Sequence, residues 1–294
     1  MSTPAPFGRR LTAAMDRYGP LCVGIDPHEA LLRAWGLPVS AGGVREFALG
    51  AVAALRGVVG VVKPQVAFYE RFGSAGIAAL EETVAACRDA GLLCIVDAKR
   101  GDIGSTMAGY ASAYVGEGSA LAGDAVTVSA YLGFGSLEPV LEQAHGTGRG
   151  VFVLALTSNP EGAQVQHARA EDGLSVAARI AVEAQRRNAA ELAAGEPLGS
   201  VGLVVGATVG AAPRRLGLDL AAVGGPLLAP GLGAQGAGVH QVREVFAGAE
   251  RAVLPSSSRD VLRAGPDPAA LAAAAAAAQE DLRSLRTPSA GAPD

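Results

Sequence analysis

Short runs of Val, Leu and Ile recur along the chain, and polar residues gather at their C-terminal ends. The runs are LCVGI (21–25), VGVVK (59–63), LLCIVD (92–97), AVTVS (125–129), VFVLAL (151–156), VGLVVG (201–206), PLLAP (226–230) and RAVLP (251–255). Each is apolar nearly throughout instead of alternating, which is the pattern of a parallel strand buried on both faces. The stretches between them carry helical spacing, as in Val44, Phe47, Ala48, Ala51, Val52 and Leu55, then Ile77, Leu80, Val84 and Cys87. Ser74 is expected to cap the second of these helices and Gly91 to end it. The crossover between Gly162 and Ala194 is longer than the others and predicts an ordered loop ahead of its helix. Eight βα units in one chain of 294 residues predict a single-domain α/β fold, a closed (β/α)8 TIM barrel. A doubly wound open sheet would share the alternation. The barrel is expected over residues 1–286, followed by a frayed tail, TPSAGAPD, at 287–294.

Composition narrows the partners. Half of the residues are hydrophobic and 18% are charged, enough for a large core, and the 40 Gly and 17 Pro punctuate the apolar runs. A net charge of −4 with both signs interspersed provides no basic stripe for nucleic acid and no polybasic membrane patch, so a small molecule is the expected partner. The longest apolar run, Ala269 to Ala278, falls short of the roughly 20 residues of a membrane span, and the N-terminal MSTPAPFGRRLTAAMD has no signal-peptide h-region. A cytoplasmic location follows as an expectation. Cys22, Cys87 and Cys94 lack CxxC spacing and sit in apolar stretches, as buried reduced thiols do.

In a barrel the active site forms at the C-terminal ends of the strands. Asp26, Lys63, Asp97 with Lys99, Ser129, Thr157 with Ser158, Thr208, and Ser256 to Arg259 all follow apolar runs. The densest group is VDAKRGDIGST (96–106). Asp97 and Lys99, two apart on an extended chain, are expected to project to one side. Asp102, Ile103 and Thr106 would share one face of a helix beginning there and point away from their own barrel. Two lysines and two aspartates in one pocket would hold each other ionised; a structural ion-pair network would carry the same spacing. The loops PGLGAQG (230–236) and PSSSRD (255–260) follow strands seven and eight, where barrels commonly bind phosphate. Their small residues admit backbone amides, a helix starting near Asp260 would add its dipole, and Arg259 can hold two oxygens. The histidines 28, 145, 167 and 240 have no ligand spacing, and Trp35, Phe68, Tyr69 and Phe72 are expected to pack loops. Asn159 before Pro160 predicts a turn.

With these residues in view, the chain resembles orotidine 5'-phosphate decarboxylases, specifically their longer bacterial subfamily. The likeness runs from about Phe7 to Leu262 through LCVGIDPH, VVKPQVAFYERFG, VDAKRGDIGST, LALTSNPEG, GLVVGAT, LLAPGLGAQG and VLPSSSRDVL. The resemblance implies conversion of orotidine 5'-monophosphate to UMP and CO2 in de novo pyrimidine biosynthesis, without cofactor or metal. It implies a catalytic array of Lys63, Asp97, Lys99 and Asp102, with Asp102, Ile103 and Thr106 donated across a homodimer interface to a shared site. It also places Asp26 and Lys63 on the ribose, Ser129 on the pyrimidine, Gln235 and Arg259 on the phosphate, and Pro230 in the pocket wall. A metal-dependent sugar-phosphate lyase, a Schiff-base aldolase using Lys63 or Lys99, and a catalytically silent nucleotide-binding barrel are the rival readings.

Overall fold

In the computed structural model, which describes residues 5–233 and 236–286, eight parallel strands close into a barrel in sequence order. They are β1 (Cys22–Ile25), β2 (Val61–Pro64), β3 (Leu93–Arg100), β4 (Ala125–Val128), β5 (Gly150–Leu156), β6 (Val201–Val205), β7 (Leu227–Pro230) and β8 (Val253–Ser257). Closure is direct, since β1 pairs with both β2 and β8. This excludes the open doubly wound sheet. The tail expected at 287–294 lies outside the described residues.

Inside the barrel each strand contributes one fully or nearly fully buried residue to an apolar layer: Cys22, Val61, Ile95, Ala125, Phe152, Val204, Leu228 and Leu254. The helix Phe7–Tyr18 closes the N-terminal end beneath it, with Phe7, Leu11 and Met15 buried and the Phe7 ring edge-on to Phe152 at 5.9 Å. Removing each such side chain from water stabilises the fold by about 1.5–3 kcal/mol, so this end is sealed and chemistry is confined to the other. A larger apolar cluster packs the outer helices onto the strands. Trp35 belongs to it, stacked on Phe47 at 4.1 Å and donating its indole N–H to the Leu262 carbonyl at 2.9 Å.

Helix ends depart from expectation in three places. The helix Gly73–Ala90 ends at Gly91 in the left-handed conformation, as predicted, but Ser74 lies in its first turn and the capping position is Phe72, without a side-chain cap. The short helix Ala67–Glu70 abuts it, so the chain enters through a tight turn at Gly73 instead of an extended capping residue. The helix after β3 spans Gly104–Val115, starting two residues after Asp102. The helix after β8 is a single turn, Arg259–Leu262, so its dipole is small. The long crossover before the helix Val176–Ala193 carries the ordered short helix Ala163–Gln166, and Asn159 leads into the turn Pro160–Gly162. Among the described residues no helix is long and apolar enough to cross a membrane.

Candidate active site

Side chains two apart on a strand share a face, so the residues that follow the apolar layer by two form the next layer, about 6.6 Å closer to the C-terminal mouth. From Val61, Ile95, Ala125, Leu228 and Leu254 that step leads to Lys63, Asp97, Thr127, Pro230 and Ser256. The inward face thus turns from apolar to polar within one repeat. Above it opens a cavity of about 580 Å³ lined by Asp26, Lys63, Asp97, Lys99, Ser258 and Arg259 among others, with Leu154, Val204 and Leu228 as its apolar floor. Gly24 on β1 lets the wall close, because a Cβ there would stand 2.0 Å from the Ser258 hydroxyl oxygen.

Asp97 is the centre of the arrangement. Its Oδ2 accepts hydrogen bonds from Lys63 Nζ at 2.8 Å and Gln65 Nε2 at 2.9 Å, and its Oδ1 from Lys99 Nζ at 2.7 Å and Thr127 Oγ at 2.8 Å. Burial favours the neutral acid, but the ammonium groups of Lys63 and Lys99 outweigh it and hold the carboxyl well below the usual range. Burial also opposes the charge on Lys63. Asp97 and Asp26 overcome that and hold its ammonium above its ordinary value. The pair is therefore ionised, with both lysines on one carboxylate.

Asp97 and Lys99 reach the same side, as expected, but by a different route. Lys99 is not extended: it has φ +50°, the left-handed region, where β3 falls out of register with β4. Asp26 lines the cavity, and its Oδ1 is buried with no hydrogen-bond partner among the described residues, an unsatisfied acceptor at the edge of the array.

The other expected site residues divide. Pro230 and Arg259 line the cavity, as does Thr157, whereas Ser129 does not; its N–H is bonded to the Arg100 carbonyl at 2.8 Å. Gln235 lies outside the described residues. Asp102, Ile103 and Thr106 stand away from their own cavity, with Ile103 62% exposed and the Asp102 Oδ1 accepting from the Ile103 N–H at 2.8 Å. Phe68, expected only to pack a loop, lines the cavity together with His28, their rings edge to face at 4.2 Å. Gln65 and Thr127 escaped the sequence reading. Both are uncharged, but each lies two residues beyond an inward-facing position, which is the signal that identifies them.

The family model described as Orotidine 5'-phosphate decarboxylase / HUMPS family matches residues 19–275. The chain is 57% identical over 281 residues to the orotidine 5'-phosphate decarboxylase of Salinispora arenicola, covering 96% of this chain and 98% of that one. It is 52% identical over 285 residues to that of Streptomyces coelicolor, covering 97% and 99%. A crystal structure from Streptomyces avermitilis aligns with a TM-score of 0.91 at 54% identity over 97% of each chain. The OMP decarboxylase of Leishmania donovani aligns with a TM-score of 0.73 at 30% identity, covering 96% of this chain and 99% of that one.

Proposed function

The chain belongs to the orotidine 5'-phosphate decarboxylase / HUMPS family and is a carboxy-lyase, and from that premise we propose that the cavity around Asp97 is where orotidine 5'-monophosphate loses CO2 to become UMP. The observation that carries this reading is the Lys63–Asp97–Lys99 array in the wall of a cavity that also holds Arg259.

Cleavage of the bond between C6 of the pyrimidine and its carboxylate leaves the electron pair on C6. No ring position delocalises that pair, so the barrier is lowered by charge placed in advance. The Lys99 ammonium, 44% exposed toward the cavity while bonded to Asp97, stabilises the developing carbanion and then transfers a proton to C6; Lys99 is reprotonated from solvent. Asp97 holds the two ammonium groups and faces the departing carboxylate. Asp26 and Lys63, which both line the cavity, take the ribose hydroxyls. Arg259 with Gln235 takes the phosphate, and Pro230 walls the pocket. Ser129, one two-residue step beyond Thr127, is kept for the pyrimidine, as the family resemblance implies.

A homodimer with shared sites completes the proposal. Asp102, Ile103 and Thr106 do not line their own cavity, and Ile103 on the loop after β3 with Tyr131 and Leu132 on the loop after β4 are exposed apolar side chains, at 62%, 76% and 54%. Burying them against a second copy would carry Asp102 to the partner's array as the fourth charge. A cytoplasmic location accords with three buried free cysteines. The test is the decay of orotidine 5'-monophosphate absorbance with purified enzyme, run with the Lys99→Ala variant: loss with the first and none with the second is expected, and equal loss with both would overturn the assignment of Lys99.

A further inference from the structure

The bond pattern around β3 and β4 singles out a residue with no charge. The β3–β4 ladder steps from Val96↔Val126 directly to Arg100↔Val128, so that Asp97, Ala98 and Lys99 all face Thr127 alone. A bulge of this kind strips backbone groups of their ladder partners. The Lys99 N–H is one of them, and it donates instead to Thr127 Oγ at 2.9 Å. That hydroxyl has a single proton, which goes to Asp97 Oδ1 at 2.8 Å. Directions are thereby settled, because an N–H can only donate and an ionised carboxylate can only accept. Thr127 is fully buried, so water cannot take over either bond.

Lys99 is the one described non-glycine residue at positive φ. The left-handed conformation is unfavourable for a side chain with a Cβ and persists only where its surroundings enforce it. Without the bond to Thr127 the backbone at Lys99 would relax toward the extended region, and the ammonium at the end of a four-carbon chain would move by ångströms. The same hydroxyl shares Oδ1 with that ammonium, so backbone and side chain are fixed against a common atom.

We propose that Thr127 is a positioning residue for the reaction: through one oxygen it holds the Lys99 backbone in its left-handed turn and the Asp97 carboxylate in register with it, aiming the Lys99 ammonium at the reacting carbon. This rests on the decarboxylase reading of Lys99 given above. Thr127 is buried behind the array and is not among the residues that line the cavity. Substrate grip lies with the phosphate and ribose groups, so its loss should act on turnover and leave binding alone.

The test compares Thr127→Val, which keeps the shape and removes the hydroxyl, with Thr127→Ser, which keeps the hydroxyl. Wild type and Lys99→Ala run alongside, and kcat, KM, UMP affinity and Tm are measured for each. Thr127→Val should lose kcat on the order of 10- to 100-fold, the value of a hydrogen bond to a charged group, with KM and UMP affinity within about threefold of wild type. Thr127→Ser should restore kcat to within about threefold. Unchanged kcat in Thr127→Val, or an equal loss in Thr127→Ser, would overturn the proposal. Thr127→Ala serves as a second hydroxyl-free variant should valine prevent folding. If neither folds while serine does, the hydroxyl serves stability and the positioning role is refuted. Full activity of Lys99→Ala would instead remove the underlying reading of Lys99, and the proposal with it.

Discussion

An Asp97→Asn substitution keeps the shape of the side chain and removes the charge that faces two ammonium groups. The carboxylate accepts four hydrogen bonds, all from donors. An asparagine amide offers one oxygen to them, so its NH2 must turn toward one of the two pairs. Lys63 has 7% of its side chain exposed and cannot withdraw, whereas Lys99 at 44% can swing outward. The oxygen therefore stays with Lys63, and Lys99 leaves. Breaking a buried ion pair from one side costs about 3–5 kcal/mol. Asp26 still faces Lys63 and offsets part of this, which places the loss at about 3 kcal/mol and the fall in Tm at about 6–12 °C.

The pH dependence follows from the direction of each shift. The Asp97 carboxyl is held below its unfolded value, so its contribution is present above about pH 4 and is lost as pH falls through the folded value. The Lys63 ammonium is held above its unfolded value, so its contribution is complete below about pH 10 and is lost as pH rises through the folded value. Denaturant titrations of wild type and Asp97→Asn should therefore differ by a constant amount between about pH 5 and 9, with the gap narrowing below about pH 4. A gap that persists unchanged to pH 3, or no gap at neutral pH, would refute the reasoning. Turnover of the variant should fall by about a thousandfold, the upper range for removing one preorganised electrostatic group.

Three further outcomes are expected. Arg259→Ala should weaken UMP binding by about 10- to 100-fold with Tm unchanged; unaltered affinity in a calorimetric titration would remove Arg259 from the phosphate. Lys99→Ala and Asp102→Ala, each inactive alone, should regain about a quarter of wild-type activity after mixing and subunit exchange, because half of the dimers then hold one intact shared site; no recovery despite exchange would contradict donation of Asp102 across an interface. Burial pushes the Cys22 thiol up to about 12, and with Cys87 and Cys94 also buried, a thiol reagent at pH 8 should label none of the three quickly in the native protein and all three after denaturation.

The apolar runs carried most of the barrel because parallel strands are buried on both faces, and the observed strands begin and end within three residues of them. The largest discrepancy is informative. The apolar run ends at 97, yet β3 continues to Arg100, since a strand that enters the cavity exchanges its apolar residues for charged ones. The helix Phe7–Tyr18 stands outside the eightfold alternation, and only the spacing of Phe7, Leu11 and Met15 marks it as the seal of the barrel floor. Of the residues that line the cavity, Asp26, Lys63, Asp97, Lys99 and Arg259 are legible because charge at a strand end is conspicuous, and Pro230 through the family resemblance. Thr127 was passed over within AVTVS in favour of Ser129 at the strand's end. A strand end says where the mouth is, whereas the two-residue step from Ala125 says which side faces inward, and its first stride reaches Thr127 before Ser129. The left-handed backbone at Lys99 has no sequence mark, because it arises from the mismatch between two strands.

The central claim is that charges fixed on this chain's own residues carry the decarboxylation. The direct measurement is orotidine 5'-monophosphate decay in excess chelator with wild type beside Lys99→Ala, with borohydride trapping on the same samples. The account predicts rapid decay with wild type, none with the variant, and no trapped adduct. Decay abolished by the chelator, a trapped lysine adduct, or no decay with folded wild type would contradict it.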